Sequence, residues 1–233
     1  VTWIWSNLDL IWDRTLDHLL LSVPPIILSF LIAVPLGWLA HRYRVGRGLI
    51  LTVVGLLYAI PSLPLFIVLP FIVGTTVRSP LNLIIALTLY GVALMVRVVA
   101  DGLASVDRDV RQSARAVGFS SRAEFWQVEL PLAGPVLLAG MRVVVVSTVS
   151  LATIGAVIGA QSLGSLFTDG FQRGIQAEIV AGIVATVALA LLLDGTLVLL
   201  GRVLMPWTRS SRRKATGVSA PLQARTLPTG VAA

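Results

Sequence analysis

Two histidines, one lysine and no cysteine leave this chain little with which to do covalent or metal chemistry. Without cysteine there is no disulfide framework, thiolate metal site or thiol nucleophile. His18 and His41 stand in no HExxH or paired-ligand spacing, so no metal site is expected. Both are read as ordinary polar groups at interfaces. The only lysine, Lys214, follows Arg213, so the Gly-Lys pair of a nucleotide-binding P-loop is missing. What remains is recognition and mechanics. Tyr58, Tyr90, Phe66 and Phe71 offer aromatic faces that attract a cation, or that simply pack. Ser147, Ser150 and Thr153 recur every three residues; such a stripe lines a polar path or bonds neighbouring helices. Arg97, Arg142 and Asp194 interrupt apolar runs, where charge is expensive. Arg97 is expected to snorkel, or to pair with Asp101 four residues on. Arg142 and Asp194 lie at matching depth and are expected to form an intramembrane pair, as a clamp.

One extended polar segment, Asp101 to Leu130, carries nine of the chain's charges, with Arg97 just before it. Val106, Val110, Ala114 and Val117 fall at helical spacing and predict an apolar stripe. Gly118 should stop that helix in the left-handed region. Ser121-Arg-Ala-Glu124 reads as a capping box opening a second short helix, whose apolar face is Phe125, Trp126 and Val128. Pro131 suits the first turn of the helix that follows. The expected element is a helix, a glycine turn, a helix and then an apolar span.

Those residues need a frame. Of 233 residues, 56% are hydrophobic and 12% charged, against about 25% charged in an ordinary soluble domain. A disordered chain is excluded, and a soluble enzyme of this size cannot bury so much apolar surface. Five apolar runs approach the ~20 residues of a spanning helix: Leu19–Ala40, Gly48–Val77, Pro80–Ala100, Pro131–Ala160 and Ile179–Leu204. The second is broken by Pro61, Pro64 and Pro70, so one bent span is expected, with two half-spans forming a re-entrant segment as the alternative. Residues 1–15 form an outer segment, 16–207 the membrane domain with its loop at 101–131, and 208–233 a tail expected to be disordered. Asp9, Asp13 and Asp17 surround Arg14, so a cleaved signal peptide is not expected.

Net charge is +7. The basic residues lie between apolar runs and report topology rather than a nucleic-acid partner. An outside N-terminus puts eleven basic residues inside: Arg42, Arg44, Arg47, Arg108, Arg111, Arg115, Arg122, Arg209, Arg212, Arg213 and Lys214. It leaves Arg14, Arg78 and Arg173 outside. The C-terminus is then cytoplasmic. Trp12, Trp38, Trp126 and Trp207 fall at the ends of spans, where indoles prefer to sit.

The run Gln112-Ser-Ala-Arg-Ala-Val-Gly118, nine residues, then Val128-Glu-Leu-Pro131 resembles the EAA loop of ABC-importer permeases. Ala114, Gly118, Leu130 and Pro131 stand at the family's spacings; Gln112 replaces its glutamate, Ser113 its first alanine and Val128 its isoleucine. Further segments, Leu89 to Arg97, Ala139-Gly-Met-Arg142 and Thr153 to Ala160, are similar to permeases for glycine betaine, carnitine and choline. The resemblance implies an all-α integral membrane protein with the type I importer fold, about five transmembrane helices and a cytoplasmic coupling helix, in a bacterial inner membrane. It implies a non-catalytic subunit with no cofactor of its own. ATP and Mg would bind a partner ATPase dimer, beside a second permease chain and an extracytoplasmic substrate-binding protein. The loop residues Gln112, Ser113, Ala114, Arg115, Gly118, Ser121, Glu124, Leu130 and Pro131 would then couple to the ATPase, with Arg115, Arg122 and Glu124 setting register by charge. The cargo would be a quaternary-ammonium osmoprotectant; another small solute such as methionine, or a self-contained secondary transporter, is the alternative.

Overall fold

The computed structural model describes residues 2–208. The expected disordered tail, with Arg209, Arg212, Arg213 and Lys214, lies outside the described residues apart from Thr208. The described chain is helical: α1 (Thr2–Ser6), α2 (Leu8–Arg42), α3 (Arg44–Ala59), α4 (Ser62–Val73), α5 (Pro80–Ala104), α6 (Arg108–Ala116), α7 (Ser121–Glu124), a π-helical turn (Phe125–Glu129), α8 (Leu130–Ile154), a 3₁₀ turn (Gly155–Ile158), α9 (Gly164–Arg173) and α10 (Gln176–Leu204). Of the segment 1–15, expected to stand apart, the described residues 2–15 are mostly helix; α2 runs unbroken from Leu8 through Pro24, Pro25 and Pro35. At 35 residues it is about 52 Å long, well past a ~30 Å hydrocarbon layer. Four helices are long and apolar enough to cross a membrane, and the α3–α4 pair makes a fifth crossing only if it counts as one span.

That pair is the second apolar run, read from the sequence as one bent span or two half-spans, and it breaks among its prolines. The helices meet at 107° at Ile60–Pro61. Pro61 and Pro64 have no N–H to offer, so the start of α4 exposes fewer orphan donors than an ordinary helix start. The Tyr90 hydroxyl, from the middle of α5, donates to the Ile60 carbonyl at the break. The Asn82 amide donates to the Phe66 carbonyl of α4 at 2.9 Å. The broken backbone is thus held by protein, as an irregular segment at membrane depth must be. Phe66 is fully buried in that contact.

α5 is the axis. Two-thirds of its apolar stretch is buried, and it packs along α2, α8, α3 and α4. Water contributes nothing to helix association inside lipid, so close backbone approach must. Gly37 of α2 lies against Val99, Gly91 of α5 against Ser29, and Gly140 of α8 against Val98. Only 6% of the apolar stretch of α10 is buried, which leaves its length facing lipid or another chain. His18, expected at an interface, is instead fully buried, with Nε2 at 3.1 Å from the Val149 carbonyl.

A Cβ at position 91 would collide with Ser29, whose hydroxyl is held by the Pro25 carbonyl at 2.6 Å and cannot swing clear easily. Gly91→Ala is expected to lower stability by about 1–3 kcal/mol, read as a fall in the thermal midpoint in detergent. Gly48→Ala meets open space and should not lower it.

Candidate functional site

The polar connector between α5 and α8 folds as a closed hairpin. Asp107 caps α6 by accepting from the Asp109 N–H at 2.8 Å. At the far end Gly118 has φ +98°, the Phe119 N–H donates to the Ala114 carbonyl and the Gly118 N–H to the Arg115 carbonyl. This Schellman pair stops the helix at the predicted glycine. The second helix starts one residue earlier than the capping-box reading has it. Ser120, not Ser121, accepts from the Ala123 N–H. Glu124 is free for another role: its carboxylate accepts from Arg115 Nε and Nη2 at 2.9–3.1 Å and is almost fully buried. Those hydrogen bonds hold the Arg115 guanidinium above its ordinary pKa. Arg115 and Glu124 therefore bind each other across the glycine turn, and Glu124 is too buried to set register with a partner. Arg122 is exposed.

A second set of contacts fastens the hairpin to the bundle. Arg111 of α6 donates to the Val106 carbonyl at 2.9 Å and to His41 Nε2 at 3.1 Å, and lies 3.6 Å from Glu129 Oε1. His41 lies in the last turn of α2, and Glu129 closes the π turn before α8. Since Nε2 accepts from Arg111, His41 carries its proton on Nδ1 and is neutral here. Nearby, Asp101 of α5 pairs with Arg47 of α3 at 2.9 Å. The local Arg97–Asp101 pairing expected from i,i+4 spacing does not form, because a guanidinium from another helix takes the carboxylate.

The predicted apolar stripe of α6 is divided. Val106 and Ala114 are buried against the bundle. Val110, Val117 and Phe119 are exposed, Val117 at 79%. Gln112, Ser113 and Ser121 are exposed as well. Leu130 and Pro131 run without a break into α8, so the second half of the hairpin and that span are one rod. Trp126 is exposed, and Phe125 packs on Trp38 with ring centres 5.7 Å apart.

The other candidate residues lie within the bundle. Tyr58 is half-exposed at the α3–α4 break and meets buried Tyr90 edge-on, centres 6.1 Å apart. Phe71 is exposed and Phe66 is not. Ser150 is exposed, Ser147 partly so, and the Thr153 hydroxyl donates to the Ser150 carbonyl at 2.6 Å. Arg142 and Asp194 form a bidentate ion pair, both contacts 2.7 Å, joining α8 to α10. Among the described residues no cluster of His, Asp or Glu has the arrangement of a metal site. The Arg111–His41–Glu129 junction went unread in the sequence. Its members are 18 to 88 residues apart, and only the clustering of arginines hinted at it.

A family model described as binding-protein-dependent transport system inner membrane component matches residues 26–210. The chain is 31% identical over 193 residues to the choline transport system permease protein OpuBB of Bacillus subtilis, covering 83% of this chain and 88% of that one. It is 33% identical over 208 residues to the osmoprotectant import permease protein OsmW of Salmonella typhimurium, covering 86% and 94%. Among solved structures, an inward-facing MetNI methionine ABC transporter superposes with a TM-score of 0.77 at 21% identity, over 85% of this chain and 97% of that one.

Replacing Glu124 by Gln removes the charge that closes the hairpin. Amide exchange across 108–124 is expected to rise roughly tenfold, the scale of one charged hydrogen bond of ~1.5 kcal/mol, with α5 and α10 unchanged. Mass-spectrometric hydrogen exchange checks this.

Proposed function

We propose, on the premise that this chain belongs to the family of binding-protein-dependent transport inner membrane components, that it is the permease subunit of an ATP-driven importer for a small quaternary-ammonium osmoprotectant. Relatives named for choline or osmoprotectant transport, matched along most of both chains, support that cargo. The methionine transporter, at 21% identity, speaks for the fold and not for the cargo. The observation that carries the mechanism is the continuity of the capped hairpin with α8.

In this reading the basic end of the bundle is cytoplasmic, the N-terminus is outside, and the exposed side of α6, with Val110, Val117 and Phe119, docks on a separate ATPase dimer. A push on α6 reaches α2 through His41, and α8 through Glu129 and the rod itself. The hairpin cannot absorb the push by bending, since Arg115–Glu124 and the Gly118 turn close it. ATP and Mg are held by the ATPase, a second permease chain completes the pore, and a binding protein delivers solute from outside. Tyr58 and Tyr90 give the cation an aromatic station at the helix break. Ser147, Ser150 and Thr153 line the route beside them. Such a path needs only weak sites, because affinity resides in the delivering protein. The Arg142–Asp194 pair fastens α8 to α10 and is structural.

The test is uptake of labelled glycine betaine, choline, carnitine and methionine by cells expressing the chain with its ATPase and binding protein. Uptake of a quaternary ammonium solute should fall on ATP depletion and survive collapse of the proton gradient; the reverse pattern would make the protein a secondary carrier. Gly118→Val forces a β-branched residue to φ +98°. At a cost of about 1–3 kcal/mol of local strain, it should leave the chain in the membrane and cut solute-stimulated ATP hydrolysis and uptake at least fivefold.

A further inference from the structure

Two hollows share Trp38 in their walls. The first, about 630 Å³, opens between the connector and the ends of α2 and α3. Its wall carries Arg42, Arg47, Arg108, Arg111 and Arg115 against the carboxylates Glu124 and Glu129. Those carboxylates are already engaged by Arg115 and Arg111, and Arg47 is engaged by Asp101. Among the described residues no carboxylate pairs with Arg42 or Arg108. The buried Nε of Arg111 has no hydrogen-bond partner either. The hollow is therefore cationic, with donors to spare.

The second, about 540 Å³, is an apolar groove between α2 and the start of the α8 rod, walled by Leu31, Val34, Phe125 and Trp126, with Arg122 in its wall. Leu31 is 60% exposed there, so the groove opens sideways from a membrane-crossing helix. Trp38 lines both hollows.

We propose that this composite site holds one anionic phospholipid, its phosphate among the guanidinium groups and an acyl chain in the groove. Arginine forks suit phosphate oxygens, and an apolar groove at this depth suits a hydrocarbon chain. The tail of this chain is not the occupant: Arg209, Arg212, Arg213 and Lys214 make its nearest part basic. Nor does the site compete with the docking surface on α6. Arg108, Arg111, Gln112 and Arg115 face the hollow at helical spacing, whereas Val110 and Val117 point roughly half a turn away. The lipid therefore braces the hairpin against α2 while the other side of α6 stays open. The proposal rests on the membrane-spanning fold and not on the identity of the cargo.

The experiment is native mass spectrometry of the assembled transporter in mixed micelles with phosphatidylglycerol or phosphatidylethanolamine. Wild type should retain phosphatidylglycerol in preference. Arg42→Gln should lower that retention about fivefold, the effect of one basic residue near an anionic headgroup. Leu31→Trp, which fills the groove, should lower it as far; Leu192→Trp on the exposed face of α10 should not. Thermal midpoints within the range of wild type exclude misfolding of these surface variants. Equal retention of both lipids, or wild-type retention by Arg42→Gln, overturns the site. So does lipid that the permease retains alone but loses in the assembled transporter, which would make the hollow a protein contact. Displacement by inorganic phosphate with no effect of Leu31→Trp would reduce it to a soluble-anion site and overturn the lipid.

Discussion

Arg111 ties the connector hairpin to the helix bundle. Its guanidinium meets the end of α2 at His41, the junction before α8 at Glu129 and its own loop at Val106. Each of these groups is costly to bury alone, and removing the cation would strand Glu129, which is almost fully buried. A charge cluster of this kind adds little net stability beside an apolar replacement. What it gives is geometry, because charged hydrogen bonds fix direction where apolar contacts slide. The hairpin is thereby tied to two long helices at once.

The bundle around that junction obeys the rule of a solvent that neither rewards apolar burial nor forgives unpaired backbone. Glycines at 37, 91 and 140 bring α2, α5 and α8 into backbone-close contact. The α3–α4 break is tolerated because Tyr90 and Asn82 reach its carbonyls. α10 is the exception, fastened to α8 by Arg142–Asp194 and by Gly201 against Leu138 while most of its surface stays open. An open helix of this length is what a subunit presents when lipid or a second chain must complete it.

What the sequence made legible were features fixed within a few residues. Apolar runs marked the spans, and Gly118 marked the helix stop, because only a glycine takes φ +98° without strain. Where a local rule competed with a distant group, the distant group won. Glu124 stands at capping-box distance from Ser121, yet Arg115 takes its carboxylate, and Ser120 does the capping. Asp101 is in i,i+4 register with Arg97, yet it binds Arg47 from α3. Pro61 located the break in the second run but not its 107° angle. The Arg142–Asp194 pair was within reach because depth alone selects partners among so few intramembrane charges. The Arg111 junction offered no such shortcut.

The most direct test of force transfer through the hairpin uses the absence of native cysteine. Val117→Cys places one thiol on the exposed side of α6. In the transporting complex a short crosslinker should join it to the ATPase subunit in high yield, and uptake should stop when it does. Solute uptake at the wild-type rate, with Val117→Cys never within crosslinking reach of the ATPase, would contradict the account.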